Sequence, residues 1–187
     1  MTGAASYAID TRGTVLWTDS GFAELARLND VPDLPEQAVG RRLDHFVAGA
    51  RPKALQAKLI ERARASAEPV DLRYRCDSPS QRRHAVLRMA VGPDGALVFT
   101  TWFEAIEDRP PLALIDPRLP RGDGSVRLCA WCNRFDVGGW READHALSRI
   151  PLTNLPRVEP GLCEVCELLL TTRPAGGPRW SDPRGPA

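Results

Sequence analysis

Apolar and polar residues alternate along several stretches in the first hundred residues. The clearest is 70–77, where Val, Leu, Tyr and Cys at every second position alternate with Asp and Arg. A period of two predicts a strand with one buried face. The ranges 85–91 and 96–103 predict two further strands, and the turn sequence GPDG separates them.

Two shorter strand-like runs and a set of helical patterns come before these strands. The runs 6–10 and 14–18 are joined through Gly13, which predicts a hairpin. Asp19 or Ser20 can cap a helix that follows the hairpin. Between 52 and 67, apolar residues recur every three or four positions, so this segment is predicted to be an amphipathic helix.

The order of two strands, a helical middle and three strands predicts an α+β fold, with a five-stranded antiparallel sheet and helices on one face. Over residues 5–106 this order resembles the PAS fold of sensory domains. Its local marks are DTRG at 10–13, WTDSGF at 17–22 and VGR at 39–41. The resemblance implies a cavity that holds haem, flavin, a small metabolite or nothing, and that ligand stays open. The helical middle has no Cys, unlike flavin photoreceptors of this family.

Isolated polar residues in the chain are interpreted as structural. Each of His45, His84 and His145 stands alone and is expected to be a hydrogen-bonded residue rather than a haem ligand. Cys76 falls on the buried face of its strand, which predicts a small buried thiol. A group of arginines is interpreted as a solvated strand face rather than an anion site: Arg73, Arg75, Arg82, Arg83 and Arg88.

Four cysteines form a C-x2-C-x30-C-x2-C pattern: Cys129, Cys132, Cys163 and Cys166. Each Cys-x-x-Cys turn presents two sulfurs on one side of a loop, so two turns complete a tetrahedron. The pattern predicts one structural zinc per chain. A segment this short rarely buries enough apolar surface to fold by itself, so it needs a bound metal to stabilise it. An iron–sulfur cluster and a dithiol–disulfide couple are the alternatives.

The same segment carries a second resemblance. LCAWCNRF at 128–135, GWREA at 139–143 and GLCEVC at 161–166 resemble a cysteine-rich tail that follows PAS or receiver domains in bacterial signalling proteins. Pro160 and Glu164 stand where that tail usually has His and Pro, and neither change removes a cysteine. Helices are predicted at 140–147 and 164–170. Trp131 and Trp140 are expected to pack around the metal or, if exposed, to contact a partner.

Composition shifts divide the chain into four parts. Residues 1–106 are predicted to form the PAS-like domain, and the Pro- and Gly-rich residues 107–126 an extended linker. Residues 127–172 are predicted to form the four-cysteine metal-binding module. Residues 173–187 are mostly Pro, Gly and Arg and are predicted to be disordered.

Charge and motifs narrow the function classes. The formal net charge is +1, without the basic excess of a nucleic-acid surface, so a nucleic-acid partner is not expected. We expect no membrane span and no signal peptide, and therefore a cytoplasmic protein. The chain has no phosphate-binding loop, kinase motif or Ser-His-Asp set, so an enzyme is not expected. Arg far outnumbers Lys, which is typical of a GC-rich bacterial genome.

These observations favour a non-enzymatic sensory or adaptor protein of bacterial signal transduction. Its PAS-like domain would sense a ligand or form a homodimer, and its zinc module would recognise a protein partner or report redox state. The alternatives are an iron–sulfur or dithiol redox sensor, and a zinc-dependent transcriptional regulator that binds nucleic acid.

Overall fold

The computed structural model describes residues 3–92 and 94–172. The first part of the chain contains β1 Ala5–Ile9, β2 Val15–Thr18, α1 Ser20–Leu28, α2 Leu34–Ala38, α3 Ala50–Ala65, β3 Val70–Arg75, β4 Gln81–Val91 and β5 Leu97–Asp108. The second part contains β6 Ser125–Cys129, β7 Phe135–Asp136, β8 Trp140–Arg141, α4 Ala143–Leu147, β9 Arg157–Gly161 and α5 Glu164–Thr172. None of the helices in these described ranges has the length and apolar character needed to cross a bilayer.

Strands β1 to β5 form one antiparallel sheet in the order β2-β1-β5-β4-β3. The predicted α+β class and the five-stranded antiparallel sheet are therefore confirmed. The first two strands lie at one edge and β3 lies at the other edge. Strand β5 continues to Asp108, beyond its predicted end, because it pairs with β4 along the whole length of β4.

The three helices of the first part lie on one face of this sheet, here called the inner face. Tyr7 of β1 marks that face, because its ring contacts Phe22 of α1 edge-on at 5.7 Å and stacks on Phe99 of β5 at 4.7 Å. Helix α3 buries Leu55 and Leu59 in the same core. On the other face, the ion pairs Arg88–Asp71 and Arg73–Glu104, each at 2.7 Å, cross between neighbouring strands.

Short polar side chains explain where the first elements begin. The Asp10 carboxylate accepts hydrogen bonds from the backbone N–H groups of Arg12 and Thr14, each at 2.8 Å. These bonds and Gly13, with φ of 83°, shape the hairpin turn. The Asp19 carboxylate accepts from the N–H of Phe22 at 2.7 Å, so of the two predicted candidates Asp19, and not Ser20, is the N-cap of α1.

The second part contains a four-stranded sheet in the order β8-β7-β6-β9. Strands β6 and β9 are parallel, and Cys129 at the end of β6 stands opposite Gly161 at the end of β9. Parallel strands need a crossover connection of about a dozen residues or more. Here the connection contains β7, β8 and α4, which build a small core around the fully buried Phe135.

The two parts of the chain share one apolar core. Ile9 and Phe99 of the first sheet belong to the same buried cluster as the four cysteines. Helix α5 also contacts α3, because Arg62 donates a hydrogen bond to the carbonyl oxygen of Leu170 at 3.2 Å. The cysteine-containing part therefore packs directly on the helices and sheet that precede it.

Some segments differ from their predicted form. The predicted helix at 140–147 begins later, at Ala143, because Trp140 pairs with Asp136 in a short two-stranded ladder. Within the predicted linker, Leu112 and Leu114 are buried in the Phe135 core, since they find apolar partners there. The predicted disordered tail lies outside the described residues. The division into domains stays a prediction.

Candidate metal centre

Four cysteines from two loops converge at one buried point. The first ligand loop, residues 129–134, follows β6, and the second ligand loop, residues 161–167, leads from β9 into α5. The parallel pairing of β6 with β9 brings the two loops side by side, and the N–H of Ala130 donates to the carbonyl oxygen of Gly161 at 2.9 Å. All four predicted ligands are buried: Cys129, Cys132, Cys163 and Cys166.

The sulfur atoms are spaced for a single ion. All four Sγ atoms lie within 4.8 Å of one another, and those of Cys132 and Cys163 are 3.8 Å apart. A tetrahedron with zinc–sulfur bonds of about 2.3 Å has edges of about 3.8 Å. A disulfide would need sulfurs at about 2.05 Å, and all four cysteines are free thiols. The geometry therefore fits four ligands around one metal ion.

Backbone N–H groups donate hydrogen bonds to two of the sulfurs and within the first ligand loop. The N–H of Cys163 donates to Cys129 Sγ, and the N–H of Cys166 donates to Cys163 Sγ, each at 3.4 Å. The N–H of Asn133 donates to the carbonyl oxygen of Cys129 at 3.0 Å, and the positive φ of Asn133, 56°, closes this turn. Such bonds stabilise thiolate charge and orient the ligands.

The four thiols shift one another's pKa values in opposite directions. Hydrogen bonds from Cys132, and then from Cys163 and Cys166, lower the pKa of Cys129 far below its ordinary value. Interaction with the sulfur of Cys129, and then with those of Cys132 and Cys163, raises the pKa of Cys166 above its ordinary value. Four sulfurs at this spacing cannot all carry negative charge unless a cation offsets their repulsion. A four-thiolate shell therefore requires a metal.

The first ligand loop covers the free edge of β3. The N–H of Arg75 donates to the carbonyl oxygen of Trp131 at 2.9 Å, and the Trp131 indole N–H donates to the carbonyl oxygen of Arg73 at 2.7 Å. The Asn133 amide also donates to the carbonyl oxygen of Arg75 at 2.8 Å. An exposed strand edge is a site for unwanted pairing. Here the edge is occupied by the loop that carries two ligands.

Buried ion pairs join the same two regions. Arg75 binds the Asp77 carboxylate through two nitrogens and the Glu142 carboxylate at 3.0 Å. Arg134 of the first ligand loop donates to Glu142 at 2.9 Å. Arg109, just after β5, reaches Asp77 at 3.2 Å. The arginines of the first sheet are thus connected to the loop beside the cysteines.

The other residues considered from the sequence lie apart from this centre. In the ranges 3–92 and 94–172, no other cluster of His, Cys, Asp or Glu is close enough to hold a metal ion. His45 is exposed, and His84 lies 3.8 Å from Glu107. Cys76 is half-buried, and burial raises its pKa.

The interpretation of the arginine group was right in part. Arg73 and Arg88 form the ion pairs of the outer sheet face described above, as a solvated face requires. For Arg75 and Arg83 it was wrong, because both are buried, and Arg83 donates to Asn29 at 3.0 Å. Each has one partner from a distant part of the chain, Glu142 for Arg75 and Asn29 for Arg83, which the local pattern could not reveal.

Both tryptophans of the second part pack against the core that contains the cysteines. Trp131 is half-buried and lies 5.7 Å from Tyr74, ring centre to ring centre. Trp140 is also half-buried, and the Arg127 guanidinium lies 5.6 Å from its ring centre. Packing near the metal centre, one of the two roles expected for them, is the role observed.

A cavity of about 440 Å³ lies beside the metal centre and is named the central cavity here. Its walls are the segment 46–48, α3, the inner face of the first sheet, the end of β9 and both ligand loops. Residues from each of these walls line the cavity, among them Leu59, Met89, Trp131 and Leu162. Cys132 also borders a second cavity of about 350 Å³, called the polar cavity here because charged residues such as Arg75 and Glu142 line it.

No protein-family model matches this chain, and no curated protein is significantly similar to it. The functional interpretation therefore depends on the geometry of the chain itself. That geometry offers a closed shell of four sulfurs, an apolar cavity in contact with it, and hydrogen bonds that fix both to the first sheet.

Proposed function

We propose that this protein is a non-enzymatic sensory or adaptor protein of bacterial signal transduction, built from a PAS-like domain and a structural zinc module. The observation that carries the proposal is the buried four-sulfur cluster packed against the sheet, α3 and the central cavity. The order of two strands, helices and three strands in one antiparallel sheet supports the PAS-like part.

The spacing of the sulfurs supports one zinc ion rather than a cluster. An iron–sulfur cluster inserts irons and sulfides between the cysteines and separates sulfurs bound to different irons. Four sulfurs within 4.8 Å leave no such space. Four thiolates also complete the zinc shell, so there is no open position for a substrate or an activated water. The proposed role of the metal is therefore structural.

The module's position supports a role in signalling. The first ligand loop contacts the edge of β3, and both ligand loops line the central cavity, so a change at the cavity would reach the cysteines and the reverse. We propose that this change is passed on to a protein partner, or to a second copy of the chain bound through the PAS-like domain. The near-neutral charge argues against nucleic acid. A cytoplasmic location is part of the proposal, since free thiols persist there.

A redox role is the second candidate, and one observation favours it. Cys132 borders the polar cavity of about 350 Å³, which gives an oxidant a route to one ligand. Oxidation would pair the sulfurs and release the zinc. In this version the module reports redox state to the same partner.

Elemental analysis with an absorption spectrum tests the proposal, on full-length protein purified without oxygen. We expect one zinc per chain, no visible band, and loss of zinc in Cys129→Ser and Cys163→Ser. The matched control is Cys76→Ser, which removes the fifth cysteine and should keep the zinc. A brown sample with iron and sulfide would overturn the zinc site. Protein without metal whose thiols oxidise in pairs would support the dithiol sensor instead.

A further inference from the structure

One wall of the central cavity belongs to the metal centre. Ala130 and Trp131 stand between the cysteines of the first ligand loop, Leu162 directly precedes Cys163 in the second, and Pro160 lies in β9 just before that loop. All four residues line the cavity, opposite α3 and the first sheet. The cavity therefore has its full shape only while both ligand loops are held in place.

The cavity is suited to an uncharged molecule. Among the described residues that line it, none carries a charge. A volume of about 440 Å³ lies within the range of small-molecule sites, which is about 300–1,000 Å³. Moving an unpaired charge into apolar surroundings is very unfavourable. A bound molecule should accordingly be neutral and mostly apolar.

Two polar groups in the lining can recognise such a molecule. Tyr7 and Gln56 line the central cavity and also an adjoining cavity of about 220 Å³ near α1 and α2. Across the described parts of the chain, neither the Tyr7 hydroxyl nor the Gln56 amide has a hydrogen-bond partner. By contrast, the Tyr74 hydroxyl is hydrogen-bonded to Thr101 at 3.3 Å. Both residues are half-buried, so a molecule in the cavity can offer these two polar groups a hydrogen-bond partner in place of solvent.

We infer that the central cavity binds an uncharged, mostly apolar small molecule with one or two hydrogen-bonding groups, and that its binding and metal binding at the four cysteines strengthen each other. The second half of this inference rests on the proposed function, since it requires a metal that holds the loops. Linkage makes the effect reciprocal, and couplings between sites are typically about 5–150-fold. With shared wall residues, we expect at least about fivefold.

The ligand class is tested with a fluorescent pair that shares one ring system, 2-naphthol and 2-naphthoate, titrated into zinc-loaded full-length protein. The first is uncharged at pH 7 and carries one hydroxyl, and the second is an anion. We expect saturable binding of 2-naphthol at one site and binding of 2-naphthoate at least about tenfold weaker. No saturable binding of 2-naphthol, or equal affinity for both, would overturn the inference.

Variants locate the site. Gln56→Trp fills the cavity from α3 and should abolish binding, whereas Lys58→Trp on the exposed face of the same helix should not. Tyr7→Phe should weaken binding about fivefold or more by removing one hydroxyl. Its control, Tyr74→Phe, removes a hydroxyl that already has a protein partner. Unchanged binding in Gln56→Trp that still holds zinc would place the ligand elsewhere.

Coupling is measured by competing zinc away with a chromophoric chelator, with and without saturating 2-naphthol. We expect 2-naphthol to raise the zinc affinity at least about fivefold in the wild type and not to change it in Gln56→Trp. Unchanged zinc affinity while 2-naphthol is bound would overturn the coupling. A protein that binds no zinc at all contradicts the proposed function instead, so the two failures are distinguishable.

Discussion

Replacing Asp77 with Asn tests whether the buried ion pairs stabilise the contact between the first sheet and the cysteine-containing part. The Asp77 side chain is 2% exposed, and its partners Arg75 and Arg109 are 8% and 10% exposed. Asparagine keeps the size of the side chain but carries no charge. Its amide nitrogen would also face guanidinium donors, so hydrogen bonds are lost together with the charge.

The expected cost follows from this burial. Removing one member of a buried ion pair costs about 3–5 kcal/mol, because the other charge is left uncompensated. Arg75 keeps a second partner, Glu142 at 3.0 Å, which favours a value near about 3 kcal/mol. The matched control is Asp44→Asn. Asp44 also follows its arginine by two residues, but Arg42 and Asp44 are 61% and 46% exposed, so about 0–1 kcal/mol is expected.

Urea unfolding of the zinc-loaded proteins at pH 7 measures both losses by linear extrapolation. We expect a clear difference in unfolding free energy between Asp77→Asn and Asp44→Asn. A loss below about 1 kcal/mol for Asp77→Asn, or equal losses in the two variants, would refute the role assigned to the buried pairs.

The same variant has a predicted pH dependence. Burial alone would raise the pKa of Asp77, but the hydrogen bonds and charge of Arg75 outweigh it, so the pKa lies below its ordinary value. A carboxyl with a lowered folded-state pKa stabilises the fold above its unfolded value, about 3.9, and loses this contribution as the pH falls through the folded value. The difference between wild type and Asp77→Asn should therefore shrink below about pH 4. A difference that grows on acidification would contradict this sign.

Two further predictions concern the second part of the chain. Phe135 is fully buried, so Phe135→Ala should lower the unfolding free energy by about 3–5 kcal/mol. The exposed Leu16→Ala should change it by less than about 0.5 kcal/mol, and similar values in urea unfolding would argue against a packed second core. Chelation of zinc should free Trp131 from Arg73 and shift tryptophan fluorescence to longer wavelength. That shift should be absent in Trp131→Phe, and its persistence there would assign it to another tryptophan.

Local patterns were sufficient to predict most elements of the first sheet. The alternation at 70–77 indicated β3, and Asp19 marked the start of α1. Both signals act between residues that are close in the chain. The four-cysteine cluster was also predictable, because each Cys-x-x-Cys turn is local and only the pairing of the two turns is long-range.

The long spacer between the cysteine pairs has a structural cause that spacing alone did not reveal. The pairs follow β6 and β9, which are parallel, so the chain must cross over between them. Trp140 shows the effect of this crossover. The sequence predicted it to be helical, but inside the crossover it pairs with Asp136 in a short strand. A crossover is needed only when the two strands pair in parallel, and the hydrophobic pattern along a strand does not show which strand it will pair with.

The contacts between the two parts of the chain were also not predictable. The alternation at 70–77 placed Arg75 on the polar face of its strand, yet it is buried between Asp77 and Glu142. Leu112 sits in a Pro-rich segment, and only the Phe135 core explains its burial. Glu142 and Phe135 come from distant parts of the chain, and only the folded structure defines their positions.

The most direct test of a single zinc held by four cysteines is X-ray absorption at the zinc edge of the purified protein. The structure predicts four sulfur neighbours at about 2.3 Å and no second metal nearby. Nitrogen or oxygen atoms in the inner shell, or scattering from a second metal at short distance, would contradict a closed four-cysteine site.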